Sequence, residues 1–301
     1  MSHTVLKRFL VGACITALPM VAVAETCNNG TTSISHLTGT FEAPLEEIET
    51  DQLLSLSLEL TNCLGHPNPV VRDDLAYGTL TKILRSDRLS DDETRSLRDK
   101  LFNQLNVGSD DGFESPFVAL VLSEVARTDR VSTYLSDEEF EDLVRSSADY
   151  LSNVTDYRGF IDGEGWRHGV AHGADWAMQL VLNERISAAQ INTLLSAVKM
   201  QVQAANGHAY IHNEPSRLAR PVLFGAMRSP DALDWKDWLT AVSDPTPLES
   251  WNDAFQSEAD LARLHNTKAF VQTIYLNASL SSNEAVQALE APSVEILRTL
   301  P

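Results

Sequence analysis

The chain has 301 residues, 43% hydrophobic and 22% charged, with 14 glycines and 12 prolines, which excludes collagen-like, low-complexity and wholly disordered chains. Its 42 acidic residues against 23 basic ones leave a formal charge of −19. That field repels phosphate backbones, and no run of Lys and Arg interleaved with aromatics offsets it, so no nucleic acid is expected as a partner.

In chain order the first element reads as an export signal. Lys7 and Arg8 precede an apolar run from Phe9 to Val23 that ends in Ala22-Val23-Ala24, the small-x-small pattern of signal-peptidase sites. Residues 1–24 are therefore expected to be removed, leaving a periplasmic or secreted chain with a charge of about −21. Val11-Gly12-Ala13-Cys14 offers the alternative of a lipid anchor at Cys14. No later stretch is apolar enough to span a bilayer, so no integral membrane segment is expected in the mature chain. Processing leaves two cysteines, Cys27 and Cys63, which an oxidising compartment is expected to pair.

Residues 25–44 read as a flexible N-terminal arm, and 45–301 as a single helical-repeat domain. The expected fold class is all-α, a curved stack of antiparallel helix pairs. Ser90 with Glu93 and Ser136 with Glu139 are two capping boxes at closely matched distances along the chain, and Ser187 with Gln190 is a third. A second helix series is marked by Ala76, Ala119, Ala171, Ala219 and Ala269, whose small side chains let neighbouring helices approach. The segment from Leu64 to Ala76, with a Pro-bearing turn and Arg72 one turn before the alanine, resembles a HEAT-type repeat. Such a stack leaves one helix series lining a concave face where ligands bind. Residues 155–165, 206–215 and 243–251 read as insertions at its rim.

The stretch from Asp156 to Trp176 carries the chemistry. Gly163 and Gly165 mark a turn, after which a helix is expected to run to about Asn183, placing His168, His172 and Asp175 on one face at i, i+4 and i+7. Three readings stay open. The trio is structural, its polar groups satisfied by neighbouring helices. Or His168 or His172 is a general acid or base oriented by Asp175, with Arg158 or Arg217 holding an anionic substrate. Or the three side chains bind a divalent metal; the glutamate of zincin helices is missing, since Gly169 follows His168. Further ligand-binding candidates are Asp74 from the first unit, Trp166 as an aromatic wall, Glu214 and Arg217 from the fourth unit, and Asn266 from the fifth.

Through Arg72 to Tyr77, Phe113 to Leu122, Gly165-Trp166-x-His168-x-x-Ala171-His172-x-Ala174-Asp175, Glu214-x-x-Arg217-Leu218-Ala219 and Asn266 to Tyr275, the chain resembles a bacterial family defined as domain of unknown function 2785. The resemblance implies an all-helical protein and carries no reaction, cofactor or proven site. The sequence thus leads to an exported helical-repeat protein with a polar concave pocket around His168, His172 and Asp175. That pocket would take a small-molecule or peptide ligand, and hydrolysis is one option. The alternative is a non-enzymatic scaffold holding a protein or peptide on the same face.

Overall fold

The computed structural model describes residues 26–27, 29–105 and 111–301. The expected signal segment, residues 1–24, and Cys14 lie outside the described residues. No helix among the described residues is long and apolar enough to cross a membrane.

The N-terminal stretch expected as an arm is folded from Ser33 onward. Its hydroxyl accepts from the His36 amide and starts helix α1, Ile34–Phe41, which sends Ile34 and the fully buried Leu37 into the core. A disulfide joins Cys27 to Cys63 just beyond α2, Thr50–Thr61, with the two Cα atoms 4.7 Å apart and both residues buried. This cross-link and two apolar side chains, which no strong periodicity advertises, hold the segment down.

Beyond the Pro67 and Pro69 turn, a π-helical stretch, Val70–Tyr77, runs into α3, Gly78–Arg85. Four helices follow in two hairpin pairs, the first of each pair capped at the expected serine: α4, Asp91–Leu105; α5, Glu114–Val131; α6, Asp137–Asn153; and α7, Gly169–Val181. Next come α8, Ala188–Val202; α9, Glu214–Arg228; α10, Trp235–Val242; α11, Glu258–Leu280; and the short α12, Glu284–Gln287, and α13, Glu290–Leu297. The strands β1, Phe160–Ile161, and β2, Gly165–Trp166, form one small hairpin pairing Phe160 with Trp166. The all-α expectation is correct.

Helices α3, α5, α7, α9 and α11 touch one another in that order and form one layer, while α2 packs on α4 and α6 on α8 in the other. Ala119, Ala171 and Ala219 are fully buried in the first layer, where small side chains permit close helix approach. The three capping boxes close as expected, the Ser90, Ser136 and Ser187 amides donating to Glu93, Glu139 and Gln190 at 2.8, 2.8 and 2.9 Å. The same cap residues tie the second layer together. Arg98 of α4 donates to Glu139 Oε1 at 2.9 Å, and Gln190 Nε2 of α8 donates to Glu141 of α6 at 2.5 Å. Burial pushes the Glu139 carboxyl up, but the Ser136 amide and the Arg98 and Arg95 guanidinium groups outweigh it and bring it down to about 2.

Arg72 anchors the repeat unit to the hairpin. It is fully buried with its guanidinium 4.2 Å from the Phe113 ring centre and 4.9 Å from that of Phe117, and it donates to the carbonyls of His66 and Glu164 at 3.0 and 3.1 Å. This position beneath β1 and β2 sets where the start of α7 lies.

Candidate functional site

The helix carrying the trio begins four residues later than the sequence suggests. Gly163 and Gly165, at φ of 82° and 78°, close the β1–β2 hairpin, and the chain enters α7 through His168, itself left-handed at φ 59° and ψ 35°. Ladder bonds from the Arg167 amide to Gly159 and from the His168 amide to Arg158 hold this entry in place. The His172 amide still donates to the His168 carbonyl at 3.0 Å, so the expected one-turn relation survives, with the imidazole centres 5.8 Å apart.

His168, His172 and Asp175 are each 7% exposed, and each looks to a different neighbour. His172 Nδ1 lies 3.1 Å from the Pro116 carbonyl; an oxygen there only accepts, so Nδ1 carries the proton and donates. The edge of its ring meets Phe117 at 5.2 Å. Burial, together with His168 and Arg217, pushes the His172 imidazole down to about 3, against the opposing bond to Pro116. Burial, with Arg217 and His212, brings His168 down to about 4. Both rings are neutral at physiological pH. His168 Nδ1 is buried without a partner, its ring 4.6 Å from that of Trp166.

Asp175 turns to α9. Its Oδ1 accepts from Arg217 Nε at 3.0 Å and from Arg220 Nη1 at 3.4 Å, and its Oδ2 accepts from Arg217 Nη2. No bond joins it to either imidazole, so the acid–base arrangement expected from the spacing, in which Asp175 orients a histidine, is not what the geometry contains. Among the described residues no three His, Cys, Asp or Glu side chains are grouped so as to hold a metal ion.

Of the remaining sequence candidates, Arg158 and Glu214 line one small cavity with His168, and the others lie apart from it. Glu214, 2% exposed at the start of α9, accepts from the His212 amide at 2.9 Å. Asn266 is fully buried and pins the preceding loop, accepting from the Tyr210 amide and donating to the His208 carbonyl, both at 2.8 Å. Arg158 pairs with Asp156 on the surface, and Asp74 is exposed on the π-helical stretch. The tryptophans divide: Trp176 is fully buried core, whereas Trp166 is 39% exposed beside Phe160 at 44%.

Sequence reasoning passed over His208 and His212, which sit in the loop between α8 and α9. His212 packs 5.8 Å from Trp166, and His208 stacks on Tyr157 at 5.4 Å. A second His-x-x-x-His spacing was the available signal. Also passed over was the row of arginines along the first layer: Arg85 forks onto Glu124 at 2.7 and 2.5 Å, and Arg130 Nε donates to Gln179 of α7 at 3.2 Å. Two sizeable clefts are present, one of about 750 Å³ beside Ser115, Arg145 and Tyr150 that reaches Pro116 and Gly169 next to the histidines, and one of about 910 Å³ beside Lys199, Asp244 and Arg263.

A family model described as Protein of unknown function (DUF2785) matches residues 101–276, from the last turn of α4 into the last turns of α11. No curated protein matches the chain. No solved structure matches it.

Proposed function

The chain belongs to the DUF2785 family of proteins of unknown function, and from that premise we propose that it is an exported, non-enzymatic scaffold that holds a protein or peptide ligand on the outward face of α5, α7 and α9. One observation carries the reading. Two members of the trio are tied to the framework, the Asp175 carboxylate to two α9 arginines and His172 Nδ1 to the Pro116 carbonyl. A carboxylate that orients a catalytic histidine is bonded to it, whereas the partners of Asp175 are arginines.

What is left for recognition is surface, where Arg130 of α5 meets Gln179 of α7 and Arg220 of α9 meets Asp175 a turn earlier on α7. The two-layer order of helices supports the HEAT-like reading, in which one layer lines the binding face. Export is supported by the apolar N-terminal segment and by the Cys27–Cys63 bond, which suits an oxidising compartment.

A second reading, a small-ligand pocket, is favoured by one observation: Trp166 and Phe160 are partly exposed above His168, whose Nδ1 is unpaired. Panning a random-peptide display library against the oxidised protein separates the two. The scaffold reading expects enriched peptides whose binding is blocked by Gln179→Trp on the outward face of α7. Peptides that bind both proteins equally, or no enrichment at all, contradict it.

A further inference from the structure

We propose that the ligand of this face is an acidic peptide, bound through Arg127 and Arg130 of α5 with Arg228 of α9. The inference deepens the scaffold reading and rests on it.

The argument begins with scarcity. Acidic residues outnumber basic ones almost two to one in this chain, so an arginine is seldom far from a carboxylate. Along the first layer that rule is kept at two places, where Arg85 has Glu124 and Arg217 with Arg220 has Asp175. It is broken at the C-terminal end of α5. Among the described residues no carboxylate lies within ion-pair distance of Arg127 or Arg130, and the bond made by Arg130 goes to the neutral amide of Gln179. Arg228 at the end of α9 has only Glu184, at 3.5 Å, a carboxylate 87% exposed to water.

These guanidinium groups also feel one another. Burial, then Arg127 and Arg228, lower the proton affinity of Arg130, while Glu124 offsets only part of this. Arg127 and Arg130 are one turn apart on the same face of α5, and both are half-buried. Holding like charges together with part of their hydration removed is unfavourable unless something answers them.

The bland account is the helix dipole, since a cation in a last turn is stabilised by the carbonyl end of the helix. It covers Arg130 in the last turn of α5 and Arg228 in the last turn of α9. It does not explain why Arg127 joins Arg130 a turn earlier on the same face.

Carboxylate is the complement that the molecule itself uses on this face. Glu124 takes Arg85 in a two-point fork; at Arg130 the Nε is taken by Gln179, which leaves its terminal nitrogens and the Arg127 guanidinium to face a carboxylate. Val131, 63% exposed and one turn beyond Arg127, supplies an apolar contact beside the charges.

The test uses a fluorescein-labelled hexaglutamate peptide and the full oxidised chain, read by fluorescence polarisation at low and high salt. Hexaglutamate is expected to bind, with affinity falling as salt rises, and Arg127→Gln/Arg130→Gln is expected to weaken it about tenfold or more. Circular dichroism checks that the double variant keeps its helical signal. Arg127→Lys/Arg130→Lys, which keeps the charge and loses the fork, is expected to recover only part of the binding. Equal binding by the Gln double variant, equal competition by unlabelled hexaglutamine, or stronger competition by tripolyphosphate overturns the proposal. Peptides enriched in panning and blocked by Gln179→Trp, alongside no hexaglutamate binding, would sink the acidic occupant and leave the scaffold standing. No enrichment in panning would sink the scaffold itself.

Discussion

Lowering the pH charges His172 in a place built for a neutral ring, and the cost is open to measurement. The imidazole is 7% exposed, its Nδ1–H donates to Pro116, Phe117 lies against its edge, and His168, Arg217 and Arg72 all oppose a positive charge there. Its folded value of about 3 lies below the ordinary 6.5, so the unfolded chain binds the proton more readily. Stability from this group is therefore complete above about pH 6.5 and drains away as the pH falls toward 3. At about 1.4 kcal/mol per pH unit, the interval from 6.5 down to 4 costs roughly 3 kcal/mol, with a ceiling near 5 kcal/mol below pH 3. His168, brought down to about 4, adds loss in the same direction and window. The assay is urea denaturation followed by circular dichroism from pH 4 to 7.5 for the natural protein and for His172→Gln, whose amide donates without titrating. Carboxylate titration and the relaxing self-repulsion of an acidic chain act in both proteins and cancel in the difference. The slope of stability against pH between 4 and 6 should be shallower in the variant by about 1.4 kcal/mol per unit. Parallel curves would refute the reasoning.

Three further outcomes test the framework. Arg72→Met leaves the His66 and Glu164 carbonyls without their buried donor and should cost about 3–5 kcal/mol in urea denaturation; a loss below about 1 kcal/mol would mean that the anchor is dispensable. Gly159→Ala adds a Cβ that collides with the His212 ring, so the Trp166 fluorescence that His212 borders should shift and stability should fall by about 1–3 kcal/mol. An unchanged spectrum would place His212 elsewhere. Cys27 and Cys63 are 36 residues apart, and opening a loop of that size by Cys63→Ser should cost about 4 kcal/mol, read as oxidised natural protein against variant. Equal stability would speak against the bond.

What could be read from the chain was local. The capping boxes at Ser90, Ser136 and Ser187 are complete within four residues, and all three close as written. The alanines at 119, 171 and 219 record how near neighbouring helices come, and so foretold which helices share a layer. The missed features depend on distant partners or on unusual backbone. The start of α7 moved to Gly169 because a residue other than glycine, His168, takes a left-handed conformation that the ladder from Arg158 and Gly159 enforces. Asp175 seemed to belong with the histidines of its own helix, yet its partners lie on α9, more than forty residues along the chain. The π-helical stretch and the burial of α1 have no local signature. Arg127, Arg130 and Arg228 make no basic run in sequence; packing gathers them from two helices.

A double-mutant cycle joining Asp175→Ala and Arg217→Ala, read by urea denaturation, measures whether the carboxylate of the trio belongs to the framework. The account predicts a coupling of about 1–3 kcal/mol between the two sites, with each single variant destabilised. Additive effects within about 0.3 kcal/mol, with the stability of Asp175→Ala unchanged, would contradict it and return Asp175 to the chemistry of a ligand.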